Sequence, residues 1–237
     1  MQFSALGLNP DLVRAAGELG FQTPTPIQAQ AIPAILAGRD LVGSAQTGSG
    51  KTGAFGLPLL QRLQQGAPQT PRRVRALVLV PTRELAAQVG DVLRSLGSRL
   101  PHPPKIAVVF GGVSINPQMM GLRGGADAVI ATPGRLLDLL EHNALKLDAV
   151  QMLVLDEADR LLDLGFSDEL QRLLALLPAQ RQNLFFSATF PPEVEILAAS
   201  LLRDPVRIEV ANTPANEPVI TQRAIQVDAD QRTRLLR

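Results

Sequence analysis

The chain has 237 residues, 46% of them hydrophobic and 19% charged, so it can build a large core and is not globally disordered. It contains no cysteine, which excludes disulfides, thiolate nucleophiles and sulfur-ligated metals. The net charge of +1 leaves no strongly basic footprint of the kind nucleic-acid binding usually imprints on a sequence.

No run approaches the roughly 18 apolar residues that a membrane span needs. The opening residues Met1-Gln2-Phe3-Ser4-Ala5 carry no basic segment leading into an apolar one. A soluble, cytoplasmic, monomeric protein without membrane association is expected. Twenty of the 23 basic residues are arginine, which suits bidentate phosphate recognition, although genome composition produces the same bias. Tryptophan and tyrosine are absent and phenylalanine is the only aromatic, so base stacking is disfavoured and contacts to a sugar-phosphate backbone are the better expectation.

Residues 1–38 hold two helix-like segments, Pro10–Leu19 and Pro26–Leu36, ahead of the first strand. Apolar, β-branched runs then recur at Leu41–Val42, Ala76–Val80, Ile106–Phe110, Ala128–Ala131, Met152–Leu155, Leu184–Phe186 and Val206–Val210. Most are near-continuous rather than alternating, as in parallel strands covered on both faces. Helical patterns at Gly53–Gln64, Arg83–Leu96, Gly134–Glu141 and Pro192–Leu202 separate them. This rhythm over 39–210 predicts an α/β fold with a doubly wound, mostly parallel sheet. Ligands bind such sheets outside the carboxyl ends of the strands, so residues just after each strand carry the functional information. Gln65–Arg75 reads as a surface loop, and residues 211–218 as a linker, polar with two prolines. A strand at 219–227 and a helix opening at 230–237 are expected to begin another domain. His102 and His142 sit in polar or proline-rich connections and offer no metal cluster.

Ala45-Gln46-Thr47-Gly48-Ser49-Gly50-Lys51-Thr52 follows the strand at Asp40–Ser44 and opens a helix. The general phosphate-loop pattern begins with glycine, and here Ala45 replaces it. Gly48 and Gly50 still let the backbone wrap with N–H groups inward, making an anion cradle at a helix N-terminus. Lys51 can reach β- and γ-phosphates, and the Thr52 hydroxyl can ligate Mg²⁺. About 100 residues later, Met152–Leu155 runs into Asp156-Glu157-Ala158-Asp159. Asp156 is expected to face the phosphate loop on the neighbouring strand and hold Mg²⁺, with Glu157 polarising an attacking water as general base. The alternative for these carboxylates is a helix N-terminus favoured by the dipole.

Asp156-Glu157-Ala158-Asp159 spells D-E-A-D, and with the phosphate loop before it the chain resembles the DEAD-box RNA helicases, in their N-terminal RecA-like domain. The resemblance implies ATP and Mg²⁺ as cofactors, RNA as a partner gripped by its backbone without sequence reading, and a second RecA-like domain. Gly20-Phe21, Pro24 and Ile27-Gln28 resemble the family's Q motif, with Phe3 at its upstream aromatic. That implies Phe21 stacking on adenine and Gln28 hydrogen-bonding its exocyclic edge. From the residues alone, the better reading is Phe21 as a core side chain and Gln28 as a solvated helix residue.

Pro81-Thr82-Arg83-Glu84, Gly111-Gly112 and Thr132-Pro133-Gly134-Arg135 each follow a strand and resemble RNA-contact motifs of the family. Arg83, Thr132 and Arg135 suit phosphate contacts, which position a strand without reading it. Thr82 and Thr132 are also good helix N-caps, with Pro133 at the first helical position. Ser187-Ala188-Thr189 resembles the family's coupling motif, with Asp159 as the natural partner of Ser187 and Thr189. Two other readings stand beside this one: a phosphate-loop ATPase acting on DNA, and a non-catalytic module with a relic nucleotide site, against which intact Lys51, Thr52, Asp156 and Glu157 argue.

Overall fold

The computed structural model describes residues 2–46, 48–66 and 70–210; Thr47 and the expected linker, strand and helix of 211–237 lie outside the described residues. Among the described residues, seven strands form one sheet in the order β3-β4-β2-β5-β6-β1-β7, and every pairing is parallel. The strands are β1 Leu41–Ser44, β2 Ala76–Leu79, β3 Ile106–Val109, β4 Ala128–Ala131, β5 Met152–Leu155, β6 Gln182–Ser187 and β7 Val206–Glu209. Each coincides with one of the apolar runs expected above.

Successive side chains of a strand point to opposite faces, so each run feeds two cores at once. Ala76, Val78, Met152, Val154, Leu184 and Phe186 enter one core; Leu77, Leu79, Leu153, Leu155 and Phe185 enter the other. The first core is closed by α1 (Pro10–Glu18), α2 (Pro26–Leu36), α3 (Lys51–Leu63) and α4 (Arg83–Gly97). The second is closed by α6 (Pro133–Glu141), α7 (Ala158–Asp163), α8 (Ser167–Ala175) and α9 (Pro192–Leu201), and α5 (Asn116–Gly121) leans on its edge through Met119. Burial on both faces explains why these runs do not alternate.

The helix starts follow local chemistry. Asn9 accepts from the Leu12 N–H at 2.9 Å and caps α1, while the Thr82 hydroxyl accepts from the Leu85 N–H at 3.2 Å and caps α4. Thr132 departs from expectation. It occupies the cap position of α6, but its hydroxyl accepts from the Gly111 N–H at 3.4 Å instead. The Gly111 N–H just beyond β3 takes that oxygen in place of the helix N–H groups it would otherwise cap. Of helices α5, α7 and α8, the sequence signals only the start of α7, as the alternative reading of the acidic turn. The first two have six residues each, too short for a periodic pattern to emerge.

Gly43 in β1 pairs with Phe186 in β6, and a Cβ there would lie 2.6 Å from the Phe186 Cδ1. The Phe186 ring is fully buried and packs on Phe55 of α3 with centroids 5.6 Å apart, so it has nowhere to move. Gly43→Ala should therefore cost about 1–3 kcal/mol of stability, the usual penalty for overpacking a dense core. A urea melt checks it; an unchanged midpoint would show that the ring can shift.

Candidate functional site

The turn between β1 and α3 adopts backbone angles that favour glycine: φ is +85° at Gly48 and +96° at Gly50. Gly50 has a second requirement. A Cβ there would lie 2.7 Å from the Gln28 Nε2, so only glycine lets α2 close over the turn. Gln28 is buried and hydrogen-bonded at both ends of its amide: Nε2 donates to the Gly50 carbonyl at 3.0 Å and Oε1 accepts from the Thr25 N–H at 3.0 Å. It is therefore not a solvated helix residue. Its second partner lies 22 residues along the chain, where no local pattern could reveal it. Ala45 is buried, and its N–H donates to the Ser187 carbonyl at 3.2 Å. The Ser49 N–H donates to the Gln46 carbonyl at 3.3 Å. Phe21 is half-buried, edge-on to buried Phe3 with centroids 6.3 Å apart. A Cβ on Gly53, which the sequence reading overlooked, would meet Phe21 at 3.0 Å and Gln28 at 2.7 Å.

Lys51 opens α3 with its ammonium buried, 6% exposed, and without a hydrogen-bond partner among the described residues. The Asp156 Oδ1 lies 3.9 Å away, 3% exposed, at the carboxyl end of β5. The two charges meet across the sheet rim, but β5 is not the neighbour of β1 as expected: β6 runs between them. Parallel pairing leaves the order of strands to long-range packing, which hydrophobic runs do not encode. Burial dominates the carboxyl of Asp156, pushing its pKa up to about 6 against the attraction of Lys51, with Glu157 and Asp159 adding repulsion. The Glu157 N–H donates to the Asp156 Oδ1 at 3.1 Å. Glu157 itself takes the left-handed conformation, φ +52° and ψ +54°, which is rare for a residue with a side chain and strains the backbone at the start of α7.

The residues present fit a phosphate ligand with a hard cation. Lys51 and the Ser49 hydroxyl are buried polar groups lacking hydrogen-bond partners, beside a glycine turn at a helix N-terminus. The Thr52 hydroxyl and the Asp156 carboxylate supply the oxygen donors Mg²⁺ prefers. Among the described residues no group of three or more His, Asp or Glu is placed to hold a metal.

The expected partnership of Asp159 with Ser187 and Thr189 is present in full. Thr189 donates to the Asp159 Oδ2 twice, from its N–H at 3.0 Å and its hydroxyl at 2.8 Å. The Ser187 hydroxyl accepts from the Asp159 N–H at 3.3 Å and donates to the Thr189 carbonyl at 2.7 Å. Burial pushes the Asp159 carboxyl up, and the donated hydrogen bonds, led by the Thr189 hydroxyl, more than offset it and hold it below its ordinary value.

The strand ends β2, β3 and β4 carry the remaining candidates. Arg83 is 60% exposed, and its Nε lies 2.5 Å from Glu84 Oε1, an ion pair that raises the arginine and lowers the carboxyl. Pro81 is buried, and Gly112 is exposed with φ +80°, within reach of the Arg83 guanidinium. Gly134 lies between buried Pro133 and Arg135. Arg135 is more enclosed than a surface phosphate contact requires: 8% exposed, its Nη2 donates to the Val113 carbonyl at 2.7 Å and holds the glycine loop. Its Nε and Nη1 lack hydrogen-bond partners, with the Asp138 carboxylate 3.6 Å from Nε.

The model of the DEAD/DEAH box helicase family matches residues 25–197. The chain belongs to that family. Family relatives include the ATP-dependent RNA helicase DeaD of Mycobacterium tuberculosis, 44% identical over 99% of this chain and 41% of that protein. The ATP-dependent RNA helicase DbpA of Escherichia coli is 47% identical over 93% of this chain and 47% of that protein. The chain thus spans less than half the length of these curated relatives. Among solved structures, a DEAD box protein from the hyperthermophile Methanococcus jannaschii superposes with a TM-score of 0.80 at 36% identity, over 88% of this chain and 56% of that one. The yeast DEAD-box splicing factor Prp28 gives a TM-score of 0.81 at 36% identity, over 86% of this chain and 49% of that one. The family use of nucleotide and the RecA-like sheet follow. No helix among the described residues is long and apolar enough to cross a membrane.

The raised carboxyl of Asp156 has a consequence for stability. A group whose pKa is higher folded than unfolded favours folding only while protonated; the contribution disappears as pH rises from 3.8 through about 6. Above that the ionised, buried carboxylate destabilises the free chain by about 2–3 kcal/mol, at about 1.4 kcal/mol per pK unit. Asp156→Asn should therefore raise unfolding stability by up to that amount at pH 7.5 and leave it unchanged near pH 3.5. Urea melts across this range test it, and a stability difference independent of pH would refute it.

Proposed function

We propose that this chain is the ATP-binding half of an ATP-dependent RNA helicase that grips single-stranded RNA by its backbone and, with a second motor domain, unpairs short duplexes. Residues 1–38 are the Q-motif extension, 39–210 the first RecA-like domain, 211–218 the linker and 219–237 the opening of the second domain. One observation carries this reading: the buried ammonium of Lys51, lacking a hydrogen-bond partner, lies 3.9 Å from Asp156 where a glycine turn enters a helix. The names of the relatives favour RNA over DNA as the nucleic acid.

Each residue then has a task. Lys51 and the N–H groups of the turn hold the β- and γ-phosphates, Ser49 adds a hydroxyl, and Thr52 with Asp156 holds Mg²⁺. Bound Mg²⁺ supplies neutralisation of the developing phosphate charge. Glu157 orients the attacking water and accepts its proton at a carboxylate oxygen. Phe21 stacks on adenine, and Gln28 ties the Q-motif helix to Gly50 while presenting its remaining amide valences to the base. Asp159, Ser187 and Thr189 hold the acidic turn against the end of β6. Arg83, Gly112, Thr132 and the backbone of Pro133-Gly134 line the strand ends where RNA phosphates would lie.

An arginine from a partner domain is worth about 10³–10⁵ in rate in phosphoryl-transfer enzymes. The 237-residue chain alone should therefore bind ADP and ATP weakly and barely hydrolyse ATP. The protein completed with its second domain should turn over ATP, faster with single-stranded RNA than with DNA of the same length, and lose turnover in Lys51→Ala and Glu157→Gln. Steady-state phosphate release checks this; undiminished turnover in both variants would return the site to a relic. In the completed protein, Arg83→Ala should weaken RNA binding about equally for unrelated sequences and reduce the slope of log K against log salt by roughly 0.7–1, one phosphate contact. Filter binding from 50 to 200 mM salt measures that slope; an unchanged slope would place Arg83 off the RNA path.

A further inference from the structure

Gln61 lies near the end of α3, about ten residues beyond the phosphate turn and outside every motif identified in the sequence. It is half-buried, and both ends of its amide are used by backbone. Its Oε1 accepts from the Asn9 N–H at 2.7 Å, and its Nε2 donates to the Gly7 carbonyl at 3.1 Å. Gly7, at φ +84°, ends the short 3-10 turn Phe3–Leu6, and Asn9 caps α1. One side chain thus pins the bend that joins the first two elements of the chain. Such a bend exposes unpaired backbone groups, and a single side-chain amide, donating one N–H and accepting at its oxygen, satisfies both.

What the bend carries is Phe3, buried at 3% exposure and edge-on to Phe21 at 6.3 Å and 75°. Phe21 in turn approaches α3 so closely that Gly53 cannot carry a Cβ without crowding it at 3.0 Å. The path closes on itself: α3 holds the bend at Gln61, the bend holds Phe3, Phe3 braces Phe21, and Phe21 returns to α3 at Gly53. Phe21 follows the turn at the end of α1, lies in no strand or helix itself and is only half-buried, so its ring is placed by its packing against Phe3 and α3. An edge-to-face aromatic contact contributes roughly 0.5–1.5 kcal/mol, enough to bias a ring between placements when its partner is held still.

We infer that Gln61 is a positioning residue for the nucleobase pocket, fixing the Phe3–Phe21 pair so that Phe21 is already placed to receive adenine. The inference rests on the proposed adenine-stacking role of Phe21. It assigns base selectivity partly to a residue remote from the base, acting through pre-organisation.

The test is calorimetric titration of this chain with Mg-ADP and with Mg-GDP, for the parent chain, Gln61→Met, Gln61→Glu and Phe21→Ala. Apparent affinity scales with the fraction of protein in the competent arrangement. Gln61→Met, which keeps the length but loses both hydrogen bonds, should weaken ADP about three- to ten-fold if that fraction falls to about 10–30%. GDP, held mainly through its phosphates, should change little, so the ADP/GDP affinity ratio should shrink. Gln61→Glu keeps the acceptor for Asn9 and should fall between parent and Gln61→Met. Gln61 is not in the core, so both variants should fold, and a melt of each confirms it. A lower melting temperature with an unchanged ratio would reduce Gln61 to a structural tether and overturn the inference. Equal loss of ADP and GDP would overturn it too. If Phe21→Ala left ADP binding intact, the adenine-stacking role would itself fail, and this inference with it. If Phe21→Ala weakened ADP while Gln61→Met did not, only the role of Gln61 would fall.

Discussion

The whole arrangement depends on two opposite charges kept out of water and slightly too far apart to satisfy each other. Lys51 and Asp156 are both buried, yet 3.9 Å separates them and the lysine ammonium has no hydrogen-bond partner among the described residues. Desolvation of a buried pair is repaid only by close, well-directed contact and further hydrogen bonds. This pair lacks that contact, and the carboxyl of Asp156 stays high despite the neighbouring cation. A fold selected for stability alone would place apolar side chains here. Retaining the pair makes sense where a third charged body completes it, and the proposed phosphate and magnesium are such a body.

The surroundings hold that unsatisfied pair open. Glycines at 48 and 50 give the turn its shape, and Gln28 fastens the carbonyl of Gly50 from the other side. On the acidic side, Glu157 accepts a left-handed backbone so that α7 starts at once after β5. Asp159, locked by Ser187 and Thr189, prevents that strained turn from relaxing away from the sheet. Strain at Glu157 and desolvation at Asp156 are thus sustained by a hydrogen-bonded cluster one strand away, on β6, which also separates the two charged strands.

The elements of this fold were legible where burial is local and periodic. The seven strands among the described residues could be read because most are covered on both faces of a parallel sheet, which turns them into near-continuous apolar runs such as Ala76–Val80 and Met152–Leu155; β7, at the sheet edge, alternates. The phosphate turn and the acidic turn were legible because their chemistry is contiguous. The remainder depends on contacts between segments far apart in sequence. The insertion of β6 between β5 and β1 leaves no trace in either strand. The Thr132 hydroxyl chose Gly111 over its own helix, and Arg135 turned inward to Val113, because strand ends 21 and 22 residues away supplied partners. From the residues alone Gln28 reads as a solvated helix residue for the same reason, and Gln61 belongs to no motif. Helices α5 and α7 are too short for an amphipathic period to stand out.

Strand order also separates the two sets of candidate residues along one rim. The strands bearing the phosphate turn, the acidic turn and the Ser187 cluster are contiguous, β1-β6-β5; those bearing Pro81-Thr82-Arg83, Gly111-Gly112 and Thr132-Pro133 are contiguous, β2-β4-β3. The seam is β5 against β2, where the Asp156 N–H donates to the Leu79 carbonyl at 3.0 Å, one residue before Val80 and two before Pro81. Similar bonds stitch the rest of the rim: Thr132 N–H to Val109, Val80 N–H to Ala131 and Ala45 N–H to Ser187. A rim bonded in this way, with dense cores above and below it, holds both sets at fixed separation and is a poor candidate for the moving part of a motor. Under the proposed function, the change of state on nucleotide binding must then be taken up by the loops beyond the strand ends and by a second domain closing on them, with this sheet as the anvil against which RNA is bent.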